Sequence, residues 1–110
     1  MKKILIIEDD NTIRSVLSYV LSQKGFAVSD CMLLRDAEAL LAAETFDLII
    51  SDIGLPDGNG LDFCSQHKKI PFVIMSGMEC SDLAKASGAK AYIQKPFHVD
   101  DVLTTITIDW

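Results

Sequence analysis

The sequence has little of what builds a disulfide framework or a structural zinc site. Its three cysteines, Cys31, Cys64 and Cys80, are odd in number and widely spread, without a Cys-x-x-Cys pair. Paired spacings of that kind mark zinc sites and small disulfide-linked secreted domains. We therefore expect reduced cysteines that pack as small apolar side chains.

Two further absences concern positive charge and hydrophobic length. The chain has 10 Lys and Arg against 16 Asp and Glu, a formal net charge of -6, which disfavours non-specific attraction to nucleic acid or to an anionic membrane. Its longest apolar runs have four or five residues, whereas a membrane span needs roughly 20. Met1-Lys2-Lys3 leads into a strand pattern and not into a secretion signal. We predict a cytosolic protein that contacts neither nucleic acid nor membrane directly.

The length and apolar content of the chain fit one compact unit. With 110 residues, of which 49% are hydrophobic, the chain can bury a single core. Pro, Gly and Ser are dispersed, so no linker, repeat or low-complexity segment is visible. We predict a single domain over residues 1–110.

Strand and helix patterns alternate along the sequence. Apolar runs of strand length occupy residues 3–7, 26–31, 46–51, 72–75 and 91–93. Between and after them apolar residues recur at helical spacing, which predicts five helices, the first capped by Asp10 or Asn11 and the third and fourth (60–67 and 82–87) short. Runs that are apolar on both faces and alternate with helices are typical of a parallel sheet covered on both sides. We expect an α/β fold with right-handed crossovers.

Polar residues of complementary type follow the predicted strands. Glu8 and Asp9 follow the first, Asp52 the third, Ser76 the fourth and Lys95 the fifth. Each residue alone has an ordinary explanation as a helix cap, a turn residue, a strand-end hydroxyl or a solvated charge. Chance would scatter them to both ends of the strands, whereas all of them fall at the carboxyl ends, where open α/β sheets place their ligands. We predict one acidic pocket with one fixed cation.

The chemistry that this set permits is narrow. Crowded carboxylates repel one another and suit a small hard cation, and Mg²⁺ bound through carboxylates and a phosphate is the expected occupant. An ionised Asp52 can attack phosphorus to form an acyl phosphate, while the Lys95 ammonium neutralises oxygens of the transferring group. The Ser76 hydroxyl can donate a hydrogen bond to the transferred group.

Four segments, in this order, resemble the receiver domain of two-component response regulators. They are Ile7-Glu8-Asp9-Asp10, Ser51-Asp52-Ile53-Gly54-Leu55-Pro56-Asp57-Gly58, Ile74-Met75-Ser76-Gly77 and Lys95-Pro96-Phe97. The resemblance covers essentially the entire chain, and the ordered set is more specific than any one motif. It implies a flavodoxin-like fold, a doubly wound five-stranded parallel sheet of order 2-1-3-4-5 with helices on both faces, an order that receiver proteins themselves exemplify.

The resemblance also implies a phosphoacceptor and a metal site. Asp52 would accept the phosphoryl group from a sensor histidine kinase or a histidine phosphotransfer protein. Glu8, Asp9, Asp52 and the backbone carbonyl of Gly54 would hold Mg²⁺, and Lys95 would bind the phosphate. The protein would catalyse only its own phosphorylation and dephosphorylation, and it would then control a partner, an output domain or a second copy of the chain.

A switch pair is implied as well. Ser76 matches the switch hydroxyl and Tyr92 the switch aromatic, while Pro96 matches the proline that follows a cis peptide bond. The charge of a phosphate would draw Ser76 and Lys95 inward, leaving space that the Tyr92 ring can fill. The readout surface would be the fourth helix, the fifth strand and the fifth helix.

The sequence departs from the family pattern in two respects. The stretches from Asp52 to Ser76 and from Ser76 to Lys95 are short, so the third and fourth helices must be abbreviated, which bears on the usual output face. Gly54 and Met78 stand at positions that tune the lifetime of the phosphate in this family, and Gly54 has no side chain to position an attacking water.

Two other function classes remain open. An aspartate-nucleophile phosphatase also forms an acyl phosphate, but the position of its acid–base aspartate is here Gly54. A degenerate receiver that acts as a phosphorylation-independent docking module is disfavoured because no expected site residue is missing. His67 and His98 are expected to be structural, with His98 at the start of a helix, and Trp110 could pack on a partner or on the final helix.

Overall fold

The computed structural model of the protein describes residues 2–77 and 81–107. Within them, five parallel strands form the main sheet: β1 (Lys3–Ile7), β2 (Ala27–Cys31), β3 (Leu48–Asp52), β6 (Phe72–Ser76) and β7 (Ala91–Gln94). Two short antiparallel strands, β4 (Gly54–Leu55) and β5 (Gly58–Asn59), form a separate hairpin. The main sheet has the order β2-β1-β3-β6-β7. With the hairpin set apart, this is the predicted order 2-1-3-4-5, and the flavodoxin-like fold is confirmed.

Helices cover both faces of this sheet. They are α1 (Asn11–Gln23), α2 (Leu34–Ala43), α3 (Gly60–Gln66), α4 (Ser81–Ala86) and α5 (Val99–Thr107). Buried residues of α1 and α5 share one core cluster, and buried residues of α2, α3 and α4 share the other. The predicted shortening is confirmed, because α3 has 7 residues and α4 has 6. Among the described helices, none has the length and apolar character needed to cross a bilayer.

The first strand shows why the sheet must be covered on both sides. Side chains alternate between the two faces of a strand. Ile4 and Ile6 therefore join the cluster beneath α1 and α5, whereas Leu5 and Ile7 join the opposite one. All four are 0% exposed. An apolar run without polar alternation thus predicted a strand buried on both faces, and the structure has it there.

Element boundaries differ from the predicted ones at several points. Asp10, and not Asn11, caps α1, because its Oδ1 accepts the backbone N–H of Ile13 at 2.9 Å. The third strand was expected to end at Ser51, but the backbone of Asp52 still pairs with β6. Asp52 is therefore held by the sheet itself. The third helix was expected to include His67, but α3 ends at Gln66 and His67 lies just beyond it.

The segment after Asp52 contains the β4–β5 hairpin. Pro56 and Asp57 form its turn. Its end is fixed by Asn59, which caps α3, and by the N–H of Gly60, which donates to the Ile53 carbonyl at 2.7 Å. The chain thus returns from Ile53, the residue next to Asp52, to Gly60 beside it within seven positions. The tight turn allows this, because it lets the two hairpin strands pair directly.

The cysteines of the described part of the chain behave as packing residues. Cys31 and Cys64 are free and buried. Burial raises the pKa of the Cys31 thiol to about 11 and that of Cys64 to about 12. Both thiols therefore stay protonated at neutral pH and are poor nucleophiles. Cys80 lies outside the described residues.

Gly60→Ala should lower the free energy of unfolding by about 1–3 kcal/mol. An added Cβ would lie 1.9 Å from the Asp52 carbonyl oxygen and 2.6 Å from Ser51 Oγ, so the backbone must shift. Chemical denaturation followed by circular dichroism measures the loss. Gly54→Ala, in the hairpin that precedes Gly60, is the matched control, since nothing lies within 4 Å of its added Cβ. Equal losses in the two variants would contradict the close approach at Gly60.

Candidate functional site

The predicted site residues converge at the carboxyl edge of the main sheet. Glu8 and Asp9 follow β1, Asp52 ends β3, Ser76 ends β6 and Lys95 follows β7. Because the strands are parallel and adjacent in the sheet, these positions lie at one edge. Ile7 pairs with Ser51, Asp52 with Met75, and Ser76 with Gln94, so each site residue is at or beside the end of its ladder. The sheet therefore brings together the residues that the sequence singled out.

Lys95 links two of the three carboxylates. Its Nζ lies 2.5 Å from Glu8 Oε1 and 3.1 Å from Asp52 Oδ2. Its backbone N–H donates to the Ser76 carbonyl at 2.7 Å, and the Lys95–Pro96 peptide bond is cis, as predicted. The lysine thus spans the sheet edge from β7 to β1, and its backbone is tied to the residue that ends β6.

The three acids differ in exposure, and this sets their electrostatics. Glu8 is 0% exposed, the Asp52 side chain is 14% exposed, and Asp9 faces solvent. Burial raises the pKa of Glu8, and the hydrogen bonds from Lys95 and from the Asp10 N–H offset only part of that increase. Burial alone would lower the pKa of Lys95, but its bonds to Glu8 and Asp52 outweigh burial and raise it. The ammonium therefore stays charged across the neutral range.

The carboxylates form a group that could hold a metal ion. Glu8, Asp9 and Asp52 each offer an oxygen, and these oxygens lie within 4.8 Å of one another. Within residues 2–77 and 81–107 this is the one such cluster of acids, histidines or cysteines. A ligand set made only of oxygen atoms suits Mg²⁺. The Ile53 carbonyl already accepts the Gly60 N–H, which favours Gly54 as the source of a backbone ligand.

The predicted switch pair lies on one face of the sheet. Tyr92 is half-buried and packs against the cluster that contains Ile74 and, from α4, Ala84. Tyr92 pairs in register with Ile74, and Ser76 lies two residues further along β6, so all three point to the α4 side. Ser76 is 8% exposed. Met78, expected to tune the phosphate lifetime, lies outside the described residues, as does Trp110.

Sequence reasoning missed two side chains that hold the site backbone. The Arg14 guanidinium on α1 donates to the Glu8 carbonyl at 3.0 Å and to Asn11 Oδ1 at 2.6 Å. Ser51 is 0% exposed, and its hydroxyl donates to the Asp52 carbonyl at 2.8 Å. A serine at the end of an apolar run, directly before Asp52, was a usable signal for a buried polar role. Nothing in the sequence distinguished Arg14 from a solvated arginine.

The two histidines occupy structural positions. His67 Nε2 lies 3.2 Å from Glu38 Oε2, and the His67 ring packs at 4.7 Å from that of Phe63. The backbone N–H of His98 donates to Asp101 Oδ2 at 3.2 Å at the start of α5, where a helix-start residue was expected. Neither histidine is among the residues that hold the acidic cluster.

Comparisons with known proteins agree with this geometry. The family described as "Response regulator receiver domain" matches residues 4–107. Among curated proteins, the chain is 33% identical over 114 residues to the KDP operon transcriptional regulatory protein KdpE of Escherichia coli, covering 98% of this chain and 51% of that protein. It is 31% identical to the virulence transcriptional regulatory protein PhoP of Salmonella typhimurium, covering 94% and 49%. The chain spans about half the length of the curated relatives it matches.

Solved structures are similar over nearly the whole chain. The non-phosphorylated HemR receiver domain from Leptospira biflexa is 30% identical with a TM-score of 0.89, over 97% of this chain and 92% of that one. The response regulator TrrA from Thermotoga maritima is 25% identical with a TM-score of 0.86, over 97% of each chain. That TrrA structure is of a complex with Mg²⁺ and BeF.

Lys95→Ala should lower the free energy of unfolding in EDTA by roughly 1–3 kcal/mol, since it leaves the buried Glu8 without its cation. Glu8→Gln in the same chain should remove part of that loss, because the uncompensated charge is gone. Urea denaturation of the wild type, both single variants and the double variant gives the coupling energy, expected at about 0.5–3 kcal/mol.

A second double-mutant cycle, which pairs Glu8→Gln with a substitution at Lys68, serves as the control for this coupling. Lys68 follows α3 and lies toward the opposite edge of the sheet, before β6 begins. The changes in the free energy of unfolding caused by Lys68→Ala and by Glu8→Gln should therefore simply add, with no coupling energy. Additivity in the Lys95 cycle as well would show that the Lys95–Glu8 pair contributes nothing to folding.

Proposed function

This chain belongs to the response regulator receiver domain family, and we propose that Asp52 is its phosphoacceptor within a pocket that binds Mg²⁺. The observation that carries the proposal is the convergence of three carboxylates and one ammonium at the sheet edge, with Lys95 Nζ 3.1 Å from Asp52 Oδ2. Asp52 is the acid of this group that the sheet holds most firmly while leaving it partly open to solvent.

We propose that the phosphoryl donor is the phosphohistidine of a sensor histidine kinase or of a histidine phosphotransfer protein. A carboxylate oxygen of Asp52 attacks phosphorus, the phosphorus–nitrogen bond breaks, and its electron pair remains on the imidazole of the donor. The product is an acyl phosphate on Asp52. The hydrogen bond from the Ile53 N–H to Asp52 Oδ1 (2.9 Å) and the one from Lys95 to Oδ2 orient the carboxylate for this attack.

The metal-binding role falls to Glu8, Asp9, Asp52 and the carbonyl of Gly54. Bound Mg²⁺ would neutralise charge on the oxygens of the transferring group. The buried Glu8 keeps Lys95 at the sheet edge, and Asp9 presents its carboxylate to solvent. The hydrogen bond from the Arg14 guanidinium to the Glu8 carbonyl holds the backbone between these two acids, just after β1.

We propose that the switch works through Ser76, Lys95 and Tyr92. A phosphoryl group adds about two negative charges, which attract the ammonium and the hydroxyl. The hydrogen bond from the Lys95 N–H to the Ser76 carbonyl ties the residue after β7 to the last residue of β6. Tyr92 shares a sheet face with Ser76, so a movement of Ser76 toward the phosphoryl group changes the space beside the Tyr92 ring. The readout surface would be α4, β7 and α5.

The remaining parts of the proposal concern the whole protein. The curated relatives are transcriptional regulators of about twice this length. We propose that the switch acts on a protein partner, which is an output domain or a second copy of the chain. We further propose that residues 1–110 form a single receiver domain and that the protein is cytosolic. Its catalysis is limited to its own phosphorylation and dephosphorylation. Gly54, at the position where a phosphatase would carry its second aspartate, supports that limit.

Incubation with acetyl phosphate and Mg²⁺ should add one phosphoryl group to Asp52. Intact-mass analysis detects the adduct, and peptide mapping after borohydride reduction assigns it. Asp52→Asn should abolish incorporation, whereas Asp62→Asn, at an exposed acid on α3, should label like the wild type. Lys95→Ala should preserve incorporation better than signalling. Labelling of the Asp52→Asn protein would show that the site assignment is wrong.

Mg²⁺ should raise the melting temperature of the wild type at neutral pH, because a ligand that binds only the folded state stabilises it. Asp9→Asn should reduce this increase, since it removes one of the three oxygens of the cluster. Differential scanning fluorimetry over a Mg²⁺ titration measures both. A wild type that neither binds Mg²⁺ nor incorporates phosphate would favour the docking module.

A further inference from the structure

We propose that Asp57 is a positioning residue that joins the metal-binding loop to helix α2, so that Mg²⁺ binding and the order of the first turn of α2 reinforce each other. The inference rests on the proposed function, because it concerns the same metal site. Asp57 itself touches neither the acidic cluster nor Lys95; it acts through the β4–β5 hairpin that carries Gly54.

Helix α2 has no side-chain cap from its own flank. Leu33 occupies the N-cap position with extended backbone angles, and its side chain cannot accept a hydrogen bond. Two of the first N–H groups of the helix donate instead to Asp57, Leu34 N to Oδ1 at 2.9 Å and Arg35 N to Oδ2 at 3.0 Å. A helix is normally capped by the residue before its first turn. Here the cap comes from a residue 23 positions further along the chain.

Hydrogen bonding, and not burial, keeps the Asp57 carboxylate in place. Asp57 is exposed. The N–H of Leu34, together with that of Arg35, holds the pKa of Asp57 below its ordinary value. The carboxylate is therefore ionised at neutral pH, and both of its oxygens are bound to the positive end of α2.

The hairpin also packs closely against α2. Gly58 has φ +154°, and a Cβ added there would lie 2.9 Å from Leu34 Cδ1. Leu55, on the other strand of the hairpin, is 9% exposed and joins the core cluster to which α2 contributes Ala37. Contact with α2 is thus made by the Asp57 side chain and by the backbone beside it.

The other end of the hairpin is fixed to the site. Asp52 Oδ1 accepts the Ile53 N–H, and the Ile53 carbonyl accepts the Gly60 N–H at 2.7 Å. Gly54 lies between these bonds and pairs with Asn59 across the hairpin. The position of the Gly54 carbonyl therefore depends on a short hairpin that is held by Asp52 at one end and by α2 at the other.

Thermodynamic linkage gives this arrangement two consequences. Without the Asp57 tether the Gly54 carbonyl has more freedom, and binding of Mg²⁺ must then remove that freedom, which weakens affinity. Linkage is reciprocal, so Mg²⁺ must stabilise the bonds from Leu34 and Arg35 to Asp57 by the same factor. Occupation of the site should therefore be detectable in the first turn of α2, on the far side of the hairpin from the carboxylates.

Isothermal titration calorimetry of the full chain with MgCl₂ tests the first consequence. Asp57→Ala should weaken Mg²⁺ affinity about fivefold or more. Asp47→Ala is the matched control: the Asp47 carboxylate also accepts a backbone N–H, that of Lys3 at 2.8 Å, but it precedes β3 at the opposite end of the strand. Its affinity should equal that of the wild type. Amide exchange followed by NMR tests the second consequence, since Mg²⁺ should slow exchange at Leu34 and Arg35 in the wild type.

A double variant separates positioning from simple capping. Leu33→Ser supplies α2 with a local cap, so Leu33→Ser with Asp57→Ala should regain protection of the helix while Mg²⁺ affinity stays low. Recovery of the affinity as well would show that Asp57 is only a helix cap, and equal affinities of Asp57→Ala and the wild type would overturn the inference directly. A wild type that binds no Mg²⁺ would overturn the proposed metal site, and the inference with it.

Discussion

The ammonium of Lys95 between Glu8 and Asp52 is the interaction on which the rest of the site depends. Like charges at the sheet edge repel one another, and Glu8 is fully buried, where a lone carboxylate would be costly. Lys95 compensates this charge from the end of β7, across β6 and β3. Three carboxylates lie near one ammonium, so two carboxylates are in excess, and this excess favours binding of a further cation. Relative to apolar residues of similar volume, an ion pair of this kind contributes little net stability, although removal of one partner is costly, and the pair fixes where each charge lies.

The topology of the sheet explains why these charges can meet at all. From β1 the chain crosses to β2 on one side, and it then returns to β3 on the other side of β1. The connections that leave β1 and β3 therefore run in opposite directions and open a crevice at their carboxyl ends. Glu8, Asp9 and Asp52 lie at this crevice. The abbreviated α3 and α4 do not alter it, because the strand order and the register of β1, β3 and β6 remain intact.

The hairpin after Asp52 turns a connecting loop into a defined part of the site. Gly60 permits the close return of the chain to the Asp52 carbonyl, Asn59 starts α3, and Asp57 caps α2. One short segment thus meets two helices and the proposed phosphoacceptor. Loops that carry function in α/β proteins are held by the rigid elements around them, and here the hydrogen bonds that hold the loop can be named.

Local patterns in the sequence were sufficient to predict the five strands of the main sheet, the five helices, their order along the chain and the residue types at the strand ends. These properties follow from short-range patterns, namely apolar period, turn residues and position relative to a strand, as at Ile4–Ile7 followed by Glu8 and Asp9. Four features became visible only in the folded chain: Asp52 is still paired within β3, Asp57 caps a helix 23 positions away, Arg14 holds the Glu8 carbonyl, and Gly60 admits no Cβ. Those features are contacts between segments whose proximity no local pattern encodes, because packing of the finished sheet and helices brings them together.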